Sequence, residues 1–137
     1  MAVNLNNTYV LIVEDNTRNY ALLARLLSFM GVKKTEWKRS GWQVLEFAQD
    51  TMPRLDLILL DIHLPEEDGY KVLTRIREDD HFRDTRIVAI TADITSENLA
   101  RAQTAGFDGF LAKPIDVDQF PDQIQRILEG ETIWDLG

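Results

Sequence analysis

Four short apolar runs, Tyr9–Val13, Leu57–Leu60, Ile87–Ile90 and Phe110–Ala112, constrain the fold of this chain most. Each is aliphatic, β-branched or aromatic, and none alternates with polar residues. Successive side chains of a strand point to opposite faces, so a strand with one wet face alternates and a strand buried on both faces does not. The runs therefore predict inner strands of a parallel sheet covered on both sides. A fifth segment, Thr35-Glu36-Trp37-Lys38, does alternate, as a strand near an edge would.

Helical patterns fill the gaps. Leu23, Leu26, Leu27 and Met30 repeat at helical spacing, and Gly31 follows as a C-terminal stop. Ser40-Gly-Trp-Gln43 reads as a capping box that opens a second helix running to about Asp50. Gly69 to Arg77 carries Val72, Leu73 and Ile76 on one face, and Thr95 caps a helix that stops at Gly106. A last helical pattern spans Asp116 to Glu129 with Phe120, Ile124, Ile127 and Leu128 as its stripe. Pro121 fits only in a first turn, which sets the regular helix to begin near Asp118. Five strand–helix units in succession predict an α/β doubly wound, five-stranded parallel sheet with right-handed crossovers and helices on both faces.

With 137 residues there is room for one domain, expected over 1–130, followed by a short tail at 131–137 and no effector domain. The 15 Lys and Arg against 23 Asp and Glu give a net charge of −8, which argues against direct DNA binding and against a polybasic membrane module. Without cysteine there is no disulfide scaffold, thiol nucleophile or thiolate zinc site. The segment Met1 to Thr8 lacks the charge and apolar stretch of a signal peptide, and no run reaches the roughly 18 residues of a membrane span. A cytoplasmic location is the expectation.

In an open parallel sheet, ligands bind beyond the carboxyl ends of the strands. The first strand ends in Glu14-Asp15, the third in Asp61, the fourth in Thr91 and the fifth in Lys113-Pro114. Parallel strands gather these three carboxylates, one hydroxyl and one ammonium on one edge. Two like charges ~4 Å apart repel by about 4 kcal/mol at an effective dielectric near 20, so a cation must join them or protons must be taken up. Oxygen donors with room for waters suit Mg²⁺. Lys113 and Thr91 can hold one more anion, such as a phosphoryl group. The acids and Asn16 stand where a permanent phosphate binder would carry glycines or hydroxyls, so the phosphoryl group is a transient guest, and a carboxylate is its natural acceptor.

The stretches Leu-Ile-Val-Glu14-Asp15-Asn16, Leu-Ile-Leu-Leu-Asp61-Ile-His-Leu-Pro65-Glu-Glu-Asp-Gly69, Ile-Val-Ala-Ile-Thr91-Ala92 and Gly-Phe110-Leu-Ala-Lys113-Pro114, in that order, resemble the receiver domain of two-component response regulators, in its stand-alone form. The resemblance runs from about Tyr9 to Glu129. It implies a flavodoxin-like (CheY-like) fold with strand order 2-1-3-4-5. It implies Asp61 as phosphoacceptor, with Thr91 and Lys113 completing the chemistry. It implies Mg²⁺ held by Glu14, Asp15, Asp61 and the backbone carbonyl of His63. It implies a switch made of Thr91 and Phe110, tuning positions at His63 and Asp93, and a cis Lys113–Pro114 bond. Phe110 stands where the family often has tyrosine, so it has no hydroxyl to offer; both an inward and an outward ring are open, with phosphorylation expected to let the ring turn inward. The implied activity is that of a signalling domain catalysing only its own phosphorylation and dephosphorylation. The implied partners are a histidine kinase or histidine phosphotransferase protein and a downstream protein target. Docking is expected at Asn16–Tyr20 and Pro114–Val117, and a homodimer is allowed through the face of the fourth helix, fifth strand and fifth helix.

Plainer explanations compete for single residues. Glu14-Asp15 could be a solvated turn with Asp15 or Asn16 capping a helix. Glu66-Glu67-Asp68 can support a helix N-terminus by charge. Trp37 and Trp42 read as packing or surface anchors, and Trp134 could fold back, meet another subunit or stay loose. A phosphatase of haloacid-dehalogenase type would carry a second Asp two residues after the nucleophile; here that residue is His63.

Overall fold

The four apolar runs become the inner strands of a parallel sheet in the computed structural model, which describes residues 3–50, 54–64 and 67–134, with side chains of 47–50 left aside. The elements are β1 (Tyr9–Val13), α1 (Thr17–Met30), β2 (Lys34–Lys38), α2 (Trp42–Asp50), β3 (Leu57–Asp61), α3 (Gly69–Arg77), β4 (Arg86–Thr91), α4 (Ser96–Ala105), β5 (Gly109–Ala112), α5 (Phe120–Leu128) and β6 (Ile133–Trp134). Single turns of tighter helix lie at Leu5–Asn7 and Asp80–Phe82. The sheet order is β2-β1-β3-β4-β5-β6, every pair parallel.

Alternate residues of each inner strand enter different cores, which is why the runs have no polar member. Leu11, Val13, Ile58, Leu60, Ile87 and Ala89 pack with Val44, Val72, Ile76 and Ala102 under α2, α3 and α4. Val10, Ile12, Leu57, Leu59, Val88 and Ile90 pack with Leu23, Leu27, Phe120 and Ile124 under α1 and α5. Nearly all are completely buried, each worth about 1.5–3 kcal/mol against exposure. β2 does lie at the edge, but its burial does not alternate: Thr35 through Lys38 are all half-buried, because α1 and α2 each cover only part of an edge strand.

The caps place the helices largely as the sequence predicts. Gly31 and Gly106 close α1 and α4 in the left-handed region, at φ 104° and 101°, where a side chain would be strained. Ser40 accepts from the Trp42 N–H at 3.2 Å while Gln43 accepts from the Ser40 N–H at 3.2 Å, the reciprocal bonds of a capping box. The acid run serves two helices: Asp68 caps α3 through the Tyr70 N–H, whereas Glu67 accepts from Gly41 and Ser40 at the start of α2. Pro65, Glu66 and residues 135–137 lie outside the described residues.

Two expectations change. Helix α5 begins at Phe120 rather than near Asp118; Asp116 first closes a turn by accepting from the N–H groups of Asp118 and Gln119, and Pro121 then falls in the first helical turn. The expected tail instead contributes a sixth strand to the five-stranded core. Ile133 and Trp134 pair with Gly109 and Phe110, and Trp134 packs on the α2–α3–α4 core. Arg86 donates to the Glu131 carbonyl at 2.6 Å and Arg126 pairs with the Glu131 carboxylate at 3.1 Å, tying this segment to the body.

Candidate functional site

The carboxyl ends of β1, β3, β4 and β5 meet at one edge of the sheet, and the charged residues there come together. Glu14 lies just past β1, Asp61 ends β3, Thr91 ends β4 and Lys113 follows β5. Lys113 Nζ stands 2.7 Å from Asp61 Oδ2 and 3.0 Å from Glu14 Oε2, bridging the two acids. Carboxylate oxygens of Glu14, Asp15 and Asp61 lie within 4.8 Å of one another. Asp61, His63, Ala92, Asp93 and Lys113 line an open cleft of about 440 Å³ above them.

Local structure frees the acids for this arrangement. Asn16, not Asp15, caps α1, its side chain accepting from the Asn19 N–H at 3.0 Å, which leaves the Asp15 carboxylate to the cluster. The Asn16 N–H donates to Glu14 Oε1 at 3.1 Å, and the His63 N–H donates to Asp61 Oδ1 at 2.9 Å. The Lys113–Pro114 bond is cis, as the resemblance implies.

Burial shapes the electrostatics. The Glu14 and Asp61 side chains are 2% and 6% exposed. Burial pushes the Glu14 carboxyl above the usual carboxylate range; the Lys113 hydrogen bond pulls it down, and the Asp61 charge adds to the rise. For Lys113, burial pulls the ammonium down, but the hydrogen bonds and charges of Asp61 and Glu14 outweigh it and leave it raised. One ammonium against three carboxylates leaves a local deficit of two charges. The donor set is all oxygen, clustered and open to solvent on one side, and it fits a hard divalent cation such as Mg²⁺.

The remaining residues fall at graded distances. Thr91 is fully buried, and its Oγ1 accepts from the Asp93 N–H at 3.0 Å. His63 and Asp93 face each other across the rim, 3.8 Å apart and half-exposed. Phe110 is completely buried in the core shared with α2, α3 and α4, and its backbone pairs with Trp134 of β6.

Sequence reasoning passed over a second layer. The Trp37 indole Nε1 donates to the Glu14 carbonyl at 2.7 Å, and Arg39 donates to the Asp15 carbonyl at 3.0 Å. Tyr20 stacks on Trp37 at 4.0 Å, and the Arg39 guanidinium lies 4.4 Å from the Trp37 ring centre on β2's flank. This clasp fixes the backbone of the acid pair. An aromatic and a cation at the end of a strand beside a paired acid were the signal, but without the sheet order nothing joined β2 to the β1 turn.

Known proteins resemble this chain in sequence and in fold. The chain is 35% identical over 119 residues to the polar-differentiation response regulator DivK of Brucella anthropi, covering 87% of this chain and 94% of the relative, and equally to that of Brucella abortus. The solved receiver domain of a sensor histidine kinase from Pseudomonas aeruginosa, with a magnesium ion coordinated in its active-site cleft, matches at TM-score 0.78 and 29% identity over 90% of this chain and 98% of that one. The chemotaxis response regulator CheY4 of Vibrio cholerae shares the fold at TM-score 0.78 and 24% identity, over 88% of this chain and 98% of that chain. The family model for the response regulator receiver domain matches residues 10–125. The chain belongs to the response regulator receiver domain family, and it is a two-component signalling domain whose acidic pocket suits Mg²⁺.

Proposed function

We propose that Asp61 accepts a phosphoryl group from the phosphohistidine of a histidine kinase or histidine phosphotransferase protein, and that the phosphorylated pocket then alters a protein-binding face. The observation that carries this reading is the bridge of Lys113 between Asp61 and Glu14 in a cleft open to solvent. One Asp61 oxygen attacks phosphorus as the phosphorus–nitrogen bond of the donor breaks, and the imidazole leaves with that electron pair. Bound Mg²⁺, held by Glu14, Asp15, Asp61 and the His63 carbonyl, would neutralise the acids and the charge on the transferring oxygens. Lys113 pairs with a phosphoryl oxygen, and Thr91 turns its hydroxyl toward another. His63 and Asp93 at the rim set how easily water reaches the aspartyl phosphate.

Residues 1–130 act as the receiver unit in this reading, at work in the cytoplasm, with no direct contact to DNA or membrane. Among the described residues, no helix is long and apolar enough to cross a membrane. The phosphodonor docks over α1 and the turn after β5, where Asn19, Leu22, Pro114 and Ile115 line an apolar hollow beside Lys113. A homodimer through α4, β5 and α5 has to accommodate β6, which occupies the outer edge of β5.

The test is Mg²⁺ with beryllofluoride, which mimics a phosphoryl group on a carboxylate. Trp37, hydrogen-bonded to Glu14, reports on the pocket by fluorescence. A saturable change is expected, and Asp61→Asn should abolish it. A response that survives Asp61→Asn places the acceptor elsewhere.

A further inference from the structure

We infer that Tyr70 and Asn98 are positioning residues, a latch that holds the turn between β4 and α4 with Thr91 bonded to Asp93 and thereby sets how readily the site accepts a phosphoryl group. The inference rests on Asp61 as acceptor and Thr91 as the hydroxyl that moves. Asp93, in that turn, is held at both backbone polar groups: its N–H by Thr91 Oγ1 at 3.0 Å and its C=O by Asn98 Nδ2 at 2.7 Å. A carbonyl can only accept, so the Asn98 amide is fixed with its Oδ1 facing away from Asp93. That oxygen accepts from the Tyr70 hydroxyl.

Tyr70 is itself anchored. It is buried on α3, meets Phe107 edge-on at 5.8 Å, and lies under the Arg101 guanidinium at 3.9 Å. Arg101 also reaches Asp68, the cap of α3, at 3.5 Å. A continuous chain of bonds therefore runs from Thr91 through Asp93 and Asn98 to Tyr70, joining β4, α4 and α3.

Turning Thr91 toward a phosphoryl oxygen removes the acceptor for the Asp93 N–H. What then keeps the turn in place is Asn98, held by Tyr70. A hollow of about 190 Å³ lined by Asp93, Thr95, Glu97, Asn98 and Arg101 gives the turn room to move. Phe110 has no hydroxyl and is already fully buried, so a polar link from Thr91 to the helices passes through Asn98 and Tyr70 instead. Because the latch favours the turn in which Thr91 is bonded to Asp93 over one in which Thr91 meets a phosphoryl oxygen, loosening it raises apparent affinity.

The test is beryllofluoride titration at saturating Mg²⁺, followed by the amide NMR shifts of Thr91 and Asp93. Tyr70→Phe should tighten apparent beryllofluoride affinity about threefold and Asn98→Ala about tenfold, the scale of one hydrogen bond each, with Mg²⁺ affinity alone unchanged. The double variant should be no tighter than Asn98→Ala, since Tyr70 acts through Asn98. A role in packing alone would lower thermal stability without tightening affinity. Unchanged or weaker affinity in folded Tyr70→Phe, which keeps the ring and its contacts, overturns the latch even where Asn98→Ala fails to fold. An Asp61→Asn variant that still responds would instead overturn the acceptor assignment.

Discussion

At Glu14 a carboxylate sits almost wholly out of water beside a second buried acid, with one shared lysine. The folded chain holds the Glu14 proton more tightly than the unfolded chain does, because burial and then the Asp61 charge outweigh the pull of Lys113. The sign follows from linkage: above the raised pKa this group carries its full cost, and as pH falls through that pKa toward the ordinary carboxylate range the cost is relieved. Glu14→Gln should therefore stabilise the metal-free protein at neutral pH, read as a higher denaturant midpoint. That advantage over wild type should shrink as pH falls, measured by denaturant midpoints. A gap that stays constant or widens on acidification would contradict the assigned charge state. The same substitution should weaken Mg²⁺ binding, since a neutral amide replaces an anionic ligand. Glu14, Asp61, Thr91 and Lys113 were legible in the sequence because each stands directly after an apolar run, and Asp15 because it follows Glu14 at the same strand end. Tyr70 and Asn98 were not, because an aromatic and an amide within helices carry no positional mark.

Among the elements, β6 shows how a local pattern can hide a role. Two residues, Ile133 and Trp134, are too few to show a strand period, and in sequence they read as a tail. They become a strand because β5 leaves its backbone groups open along one edge, and because Arg86 and Arg126 fix Glu131 just before them. A chain ending at Gly130 should lose about 1–3 kcal/mol of stability from the half-buried Trp134 and the lost bonds, read as a lower denaturant midpoint. An unchanged midpoint would make β6 a passive attachment. The exposed β5 edge should also increase self-association, read by sedimentation. Helix α5 teaches the same lesson at its start: the stripe Phe120, Ile124 and Ile127 was legible, but the Asp116 turn that delays the helix depends on side-chain bonds that periodicity does not record.

For the whole molecule, the crossovers of a parallel sheet carry the ends of β1, β3, β4 and β5 to one edge and so build the pocket from residues up to 99 positions apart. Concentrating negative charge there couples metal binding to folding, since the unfolded chain has no such cluster. Mg²⁺ at a hundredfold its dissociation constant should add about 2.7 kcal/mol of stability. For a domain of this size that raises the melting temperature by roughly 10 °C. The comparison is thermal unfolding with Mg²⁺ against Na⁺ at matched ionic strength; equal melting temperatures would argue against a metal site. The sequence by itself determined the alternation of strands and helices, the doubly covered sheet and the acids at the strand ends, because hydrophobic periodicity and capping are local and each residue type bears its own signature. Only the tertiary structure decided the sixth strand, the Trp37–Arg39 clasp, the buried Phe110 and the Tyr70–Asn98 latch. Each of these depends on which distant side chains meet across the sheet, and a one-dimensional pattern holds no distance between residues that far apart in the chain.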